Sequence, residues 1–181
     1  MNVRIIAGSY GGRVIDAPGR QSTHAMSERA RGALFNIIGE DIKGARVLDA
    51  FAGSGSLGIE ALSRGAAEAL FIEKDRIAAK IVQKNLDAVE CTDASVIKTT
   101  VSNWLNTSTP EDFDIIFADP PYHDPQLSTV GRLLSLLKPG ALMVLSHPGK
   151  GEVPSKTGVV VVDNRSYGNL NFTFYRRKNV A

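Results

Sequence analysis

Short apolar runs alternate with amphipathic stretches over most of the chain after residue 43. The apolar runs predict five strands, at residues 46–50, 69–73, 95–98, 113–118 and 141–145. Segments with apolar residues at helical spacing lie between these strands. One predicted helix is capped by Asp75, and another starts near Leu127 and stops at Lys138-Pro139-Gly140. Strands that are apolar throughout and separated by helices are typical of a parallel sheet covered on both faces. We therefore predict an α/β fold that binds ligands at the carboxyl ends of its strands.

The two ends of the chain interrupt this alternation. Residues 158–162 and 170–175 have the pattern of two strands joined by a polar turn, which predicts a hairpin and an antiparallel strand at one side of the sheet. Residues 1–43 form a separate extension to a main domain at 44–181, with a small hairpin between Val3 and Ile15 and a helix capped by Ser27. We expect the segment 21–25 to be mobile and hypothesise that it acts as a lid.

Composition restricts the class of protein. The chain has 181 residues, 43% of them hydrophobic and 22% charged, which indicates one folded domain with a small extension at most. The sequence contains neither an apolar run long enough for a membrane helix nor a secretory pattern at its start. Cys91 is the only cysteine and the three histidines form no His-x-x-x-His pair, so we expect neither a disulfide nor a metal. A soluble cytoplasmic protein is the expectation.

Positive charge is concentrated near the two ends of the chain. The net charge is only +2, but residues 1–31 hold five arginines against Asp16 and Glu28, and Arg176-Arg177-Lys178 lie near the other end. Two basic regions are typical of a surface that binds a polyanion. Ordinary solvated arginines would give the same pattern, so charge alone leaves both interpretations open.

A glycine-rich loop follows the first strand of the main domain. Gly53-Ser54-Gly55-Ser56-Leu57-Gly58 fits G-x-G-x-x-G, and its place between a strand and a helix predicts a nucleotide-binding loop. Glu73 stands twenty residues beyond Gly53, at the end of the next strand, where a carboxylate binds ribose hydroxyls.

The residue at the end of the preceding strand favours one cofactor over another. Asp49 places a carboxylate where the pyrophosphate of NAD would lie, and like charges repel there. S-adenosylmethionine carries an ammonium, a sulfonium and a ribose but no phosphate, so we favour it over NAD.

A second polar loop follows the fourth strand. In Asp119-Pro120-Pro121-Tyr122 the prolines fix the backbone and remove two N–H donors. The Asp119 carboxylate and the Pro120 carbonyl are then two acceptors suited to a substrate amino group, and Tyr122 can stack on a flat base. Because this loop and the glycine loop end neighbouring strands, we predict that they share one site.

These residues together resemble the class I S-adenosylmethionine-dependent methyltransferases that act on exocyclic amino groups. Over nearly all its length the chain is similar to the bacterial RsmD-like family, which methylates guanine N2 in 16S ribosomal RNA. The resemblance is carried by the segments 4–8, 12–13, 27–31, 33–37, 47–55, 60–66 and 119–122. It implies a Rossmann-like, mostly parallel seven-stranded sheet with one antiparallel strand.

The resemblance also implies roles for particular residues. The cofactor-binding set is Asp49, Phe51, Ala52, Gly53, Gly55, Glu73, Lys74, Thr100, Val101 and Asp119, with the first five at the methionine moiety and Thr100 at the adenine. Asp119, Pro120 and Tyr122 would hold the target base. As a separate hypothesis from the charge pattern, we expect Arg4, Arg13, Arg29 and Arg31 to bind phosphates of ribosomal RNA or of a small-subunit assembly particle. The chain departs from the family pattern at His24-Ala25-Met26 and at Gly32. We expect a monomer.

Three other interpretations remain open. A DNA adenine-N6 or cytosine-N4 methyltransferase would use the same Asp-Pro-Pro-Tyr loop, but 181 residues leave no room for a target-recognition domain. An NAD oxidoreductase would need a proton donor and a substrate domain that the sequence does not indicate. A noncatalytic RNA-binding assembly protein could keep the cofactor site, although the intact Asp119 argues against it.

Overall fold

The computed structural model describes residues 2–19, 26–108, 111–149 and 151–179. Its strands are β1 (Asn2–Arg4), β2 (Val14–Asp16), β3 (Arg46–Asp49), β4 (Glu68–Glu73), β5 (Ala94–Lys98), β6 (Phe113–Ala118), β7 (Leu137–His147), β8 (Val159–Tyr167) and β9 (Leu170–Arg177). Its helices are α1 (Glu28–Ile38), α2 (Ser56–Ser63), α3 (Arg76–Ala88), α4 (Val101–Thr107) and α5 (Leu127–Leu133). Short 3₁₀ turns, Gly39–Ile42 and Leu134–Leu136, follow α1 and α5. The predicted lid at 21–25 lies outside the described residues.

Strands β3 to β9 form one seven-stranded sheet in the order β5-β4-β3-β6-β7-β9-β8. The five strands from β5 to β7 are parallel, and β9 runs antiparallel to both of its neighbours. The predicted parallel sheet, the hairpin near the end of the chain and the antiparallel strand are therefore confirmed. β1 and β2 form the predicted small hairpin, with Val3 opposite Ile15.

Each face of the sheet has its own apolar layer, because neighbouring strand residues point to opposite faces. Val47 belongs to the layer that also contains Ile15 and Leu34 of the N-terminal extension. Leu48 belongs to the opposite layer, together with Trp104 and Leu133. The N-terminal extension therefore packs into the same core as one face of the sheet.

Two elements differ from the sequence prediction. α4 was not predicted, although Thr100 caps it through its side chain and Val101 and Trp104 are buried at helical spacing. The helical stretch ends at Leu136, just before Lys138-Pro139-Gly140 as predicted, but the strand predicted at 141–145 is longer, because β7 begins at Leu137 and includes these three residues. The pairing of β6 with β7 shifts register between Phe113 and Ile115, and this irregularity accommodates the proline near the start of the strand. Within the described ranges, none of the helices is long and apolar enough to cross a bilayer.

Candidate active site

The glycine loop connects β3 to α2 by a turn that needs glycine at two positions. Gly55 is the residue before α2 and has φ 82°, a left-handed conformation that side chains rarely adopt. Gly58, in the first turn of α2, packs so closely on β4 that an added Cβ would stand 2.3 Å from the Phe71 ring. Glycine therefore lets the chain turn sharply and lets the helix approach the sheet.

Asp49 lies beneath this loop rather than on its surface. The side chain is 1% exposed, and its Oδ2 accepts a hydrogen bond of 3.0 Å from the Gly58 N–H. Burial raises the pKa of Asp49 to about 8, the Gly58 N–H partly opposes this, and the nearby negative charges of Asp119 and Glu73 add to it. A positive charge close to Asp49 would favour its ionised form.

Glu73, the last residue of β4, holds the glycine loop from the side. Its Oε1 accepts from the Gly53 N–H at 3.3 Å, and its Oε2 accepts from the Asp75 N–H at 3.1 Å. Burial raises the pKa of Glu73, against the effect of these N–H donors. The two hydrogen bonds fix the carboxylate at the edge of the cavity.

The Asp119-Pro120-Pro121-Tyr122 segment follows β6 directly, one strand away from the glycine loop. Asp119 is partly buried, Pro120 is buried, and Tyr122 is 38% exposed. Burial raises the pKa of Asp119 to about 6. The buried Ser146 Oγ has no hydrogen-bond partner within bonding distance among the described residues.

The two loops open into one cavity of about 570 Å³. The predicted site residues that line it are Phe51, Ala52, Gly53, Glu73, Lys74, Thr100, Val101, Asp119, Pro120 and Tyr122. Asp49 and Gly55 are not on its surface but support it from below. Thr100 Oγ1 also accepts from the Asn103 N–H at 3.0 Å, so its hydroxyl keeps a proton to donate.

Several lining residues were missed by sequence reasoning. Ala17, Pro18 and Met26 come from the N-terminal extension, and Leu170 is the first residue of β9. They are small or apolar, and only Met26 carries a signal in the sequence, because it belongs to the His24-Ala25-Met26 departure from the family pattern. Only the folded arrangement brings them to the strand ends.

The four arginines predicted to bind phosphates lie in different environments. Arg4 is exposed and pairs with Glu28, with 2.9 Å between Nε and Oε1. Arg13 is exposed and donates to the Ala88 carbonyl. Arg29 is exposed on α1 beside a shallow depression.

Arg31 requires a correction. It is 2% exposed, and its Nε lies 3.6 Å from Oε1 of Glu60 in the core. Burial lowers the pKa of Arg31, and the Glu60 charge opposes that shift. A guanidinium held inside the protein cannot reach a phosphate, so the prediction of an RNA contact at Arg31 is wrong.

Among the residues that the structure describes, no three His, Cys, Asp or Glu side chains lie close enough together to hold a metal ion.

Comparison with known proteins identifies the family. The model of the family described as "Conserved hypothetical protein 95" matches residues 3–176. The chain is 33% identical to YlbH of Bacillus subtilis over 97% of this chain and 100% of that one. It is 32% identical to ribosomal RNA small subunit methyltransferase D of Haemophilus influenzae, over 96% of this chain and 93% of the relative.

A solved structure, that of yhhF from Escherichia coli, superimposes with a TM-score of 0.86 at 33% identity and covers 99% of this chain and all of that one. The fold is that of the class I methyltransferases. The chain therefore belongs to the Conserved hypothetical protein 95 family, the RsmD-like family that its motifs resemble.

Proposed function

We propose that the protein transfers a methyl group from S-adenosylmethionine to the exocyclic N2 of a guanine in 16S ribosomal RNA. The observation that carries the proposal is the meeting of the glycine loop and the Asp119-Pro120-Pro121-Tyr122 segment in one cavity. The first loop suits a nucleoside cofactor and the second suits an amino group. The ribosomal RNA methyltransferase name of the Haemophilus relative supports RNA as the substrate.

The charges around the cavity favour a cationic cofactor. Burial and mutual repulsion raise the pKa of Asp49, and burial raises those of Glu73 and Asp119. The ammonium and sulfonium of S-adenosylmethionine would relieve this repulsion, whereas a pyrophosphate would increase it. The negatively charged groups around the cavity therefore fit this cofactor.

Each part of the cofactor has a set of residues to hold it. Glu73 would accept from the ribose hydroxyls beside Lys74, and Phe51, Ala52 and Gly53 would enclose the methionine moiety. Thr100 and Val101 would bound the adenine, with Thr100 donating its hydroxyl proton. When bound, the sulfonium supplies an activated methyl group for in-line displacement, and S-adenosylhomocysteine remains.

The substrate half of the cavity favours guanine. An ionised Asp119 offers only acceptors, and the N1–H and N2–H of guanine are two adjacent donors. Adenine and cytosine can offer their amino group to the same loop, but they place a ring-nitrogen lone pair beside it instead of a second N–H donor, so they would form one hydrogen bond fewer with the carboxylate. The Pro120 carbonyl would accept the second amino proton and orient the nitrogen, while Tyr122 stacks on the base.

Asp119 also has an electrostatic role in the reaction. The attacking nitrogen becomes positively charged as it forms its bond to carbon, and the carboxylate stabilises this charge and accepts the proton that leaves. The base has to leave its stack to reach the cavity. This costs a few kcal/mol, and the cost is lowest when the base lies in a loop of the RNA.

The decisive experiment is transfer of a radiolabelled methyl group into RNA from a strain that lacks the protein. Naked 16S RNA, assembled small subunits and duplex DNA serve as parallel substrates, and the labelled nucleoside is identified. We expect N2-methylguanosine from one of the RNA substrates and no label in DNA. Label on another base, or on DNA alone, would refute the assignment.

The rate should depend on pH through Asp119. Because burial raises its pKa to about 6, the group is ionised at neutral pH and protonated in mild acid. The positive charge of the bound cofactor should move this pKa downward, and below it we expect kcat/KM for RNA, at saturating cofactor, to fall about tenfold per pH unit, since the protonated acid is a weaker acceptor. A pH–rate profile measures this, and a flat acid limb would show that Asp119 does not act as an anion.

Glu73 should control cofactor affinity. Glu73→Ala removes the predicted ribose contacts, so we expect the Kd for S-adenosylhomocysteine to rise about 10- to 100-fold, as for a lost hydrogen bond to a charged group. Calorimetry measures the Kd. Glu68→Ala is the matched control, because Glu68 lies at the other end of β4 and pairs with Arg46. An equal Kd for S-adenosylhomocysteine in both variants would show that Glu73 does not bind the cofactor.

Arg29 should contribute to RNA binding through its charge. Arg29→Ala is expected to reduce the slope of log K against log salt by about 0.7, the loss of one phosphate contact on a single strand. Filter binding of a 16S RNA fragment at several salt concentrations measures the slope. Arg165→Ala is the control, since Arg165 is exposed on β8, at the edge of the sheet. An unchanged slope for Arg29→Ala would place this arginine outside the RNA surface.

A further inference from the structure

A buried amide on α3 connects two segments that line the cavity. Asn85 is 2% exposed. Its Oδ1 accepts from the Asp16 N–H at 2.9 Å, and its Nδ2 donates to the carbonyls of Asp16 at 2.8 Å and of Ser54 at 2.9 Å. The carbonyl and both amino protons of this side chain are therefore engaged with backbone atoms.

The three partners fix the orientation of the amide. Exchanging its oxygen and nitrogen would turn the amino group toward the Asp16 N–H and the oxygen toward two carbonyl oxygens. Donor would face donor and acceptor would face acceptor, so only one orientation satisfies the network. No other side chain type presents this set of groups in this volume.

Both segments that Asn85 joins belong to the proposed cofactor site. Asp16 ends β2 and is followed by Ala17 and Pro18, which form one wall of the cavity. Ser54 lies between Gly53 and Gly55, whose φ angles are 58° and 82°. A loop with glycine on both sides of a residue has wide backbone freedom, so an external contact is needed to hold it in one conformation.

We infer that Asn85 is a positioning residue that holds the glycine loop against the N-terminal hairpin and so sets the affinity for the cofactor. The inference rests on the function proposed above. Asn85 does not line the cavity. It acts through Ser54 and Asp16, and its effect should appear in cofactor binding and not in the methyl-transfer step.

The test uses the full chain with two substitutions at this position. Asn85→Asp keeps the volume but turns an oxygen toward two carbonyls, and Asn85→Ala removes the amide. For both we expect the Kd for S-adenosylhomocysteine and the KM for S-adenosylmethionine to rise about tenfold, the equivalent of one or two lost hydrogen bonds. We expect kcat at saturating cofactor to stay within about twofold, because the reacting groups are unchanged.

Ser63→Ala separates positioning from general stability. The buried Ser63 on α2 accepts from the Tyr10 N–H at 2.9 Å and donates to the Ala7 carbonyl, so it also holds the N-terminal extension by two hydrogen bonds. It is not among the residues that line the cavity. Its substitution should lower the Tm and leave the Kd unchanged.

Two results would overturn the inference. The first is that the Asn85 variants that fold bind S-adenosylhomocysteine with the same Kd as the wild-type protein while their Tm falls as in Ser63→Ala. The amide would then only stabilise the fold. The other is a fall in kcat without a rise in KM. Failure of the wild-type protein to bind S-adenosylhomocysteine would instead overturn the proposed function and this inference with it.

Discussion

Asp119→Ala is expected to lower kcat by about 10³-fold, since it removes both an oriented acceptor and the charge that stabilises the developing ammonium. The Kd for S-adenosylhomocysteine should change by less than about threefold, because the glycine loop and Glu73 carry that binding. Single-turnover methyl transfer and calorimetry measure the two quantities on the same preparation.

Asp124→Ala is the matched control, because Asp124 lines the same cavity but is exposed. We expect this control to retain near-normal turnover. Asp119→Asn keeps the shape and one acceptor, so its kcat should lie between wild type and Asp119→Ala. The division of roles between the two loops would be refuted by an equal loss of cofactor binding and turnover in Asp119→Ala.

The parts of the site that sequence predicts are those at the ends of predicted strands. Asp49, Glu73 and Asp119 each end or follow a parallel strand, and such ends meet at one edge of a sheet. Strand order along the chain was therefore enough to place them together. Ala17 and Pro18 could not be placed, because the packing of the hairpin on α2 and α3 depends on long-range contacts.

Arg31 shows how charge can mislead where periodicity would have succeeded. Counted as a basic residue near four others, it suggested a phosphate contact. Its position, however, is three, four and seven residues before Leu34, Phe35 and Ile38, which are buried on the inner face of α1. The helical repeat alone indicates that Arg31 points inward. An arginine in that position requires a buried acidic partner.

Glu60 is the buried acidic partner of Arg31, and Glu60→Ala is expected to lower the free energy of unfolding by about 3–5 kcal/mol. Glu60 is fully buried on α2, and its Oε1 accepts from the Ile6 N–H at 2.8 Å beside the Arg31 guanidinium. Its Oε2 accepts from the Ala7 N–H at 3.2 Å and from Arg64 Nε at 2.9 Å. The substitution leaves the buried Arg31 guanidinium without its negative partner and the two backbone N–H groups without their acceptor. Urea unfolding measures the loss.

A double substitution tells whether the charge or the anchoring of the extension matters more. Glu60→Leu with Arg31→Met removes both buried charges, and a buried pair replaced by apolar residues is often close to neutral in stability. Here the Ile6 and Ala7 N–H groups would still lack an acceptor, so we expect the double variant to remain about 1–3 kcal/mol less stable than wild type. Glu28→Ala, at an exposed pair, should cost less than about 1 kcal/mol. A loss below 1 kcal/mol for Glu60→Ala as well would mean that water replaces this carboxylate, and the N-terminal extension would then be held by its apolar contacts alone.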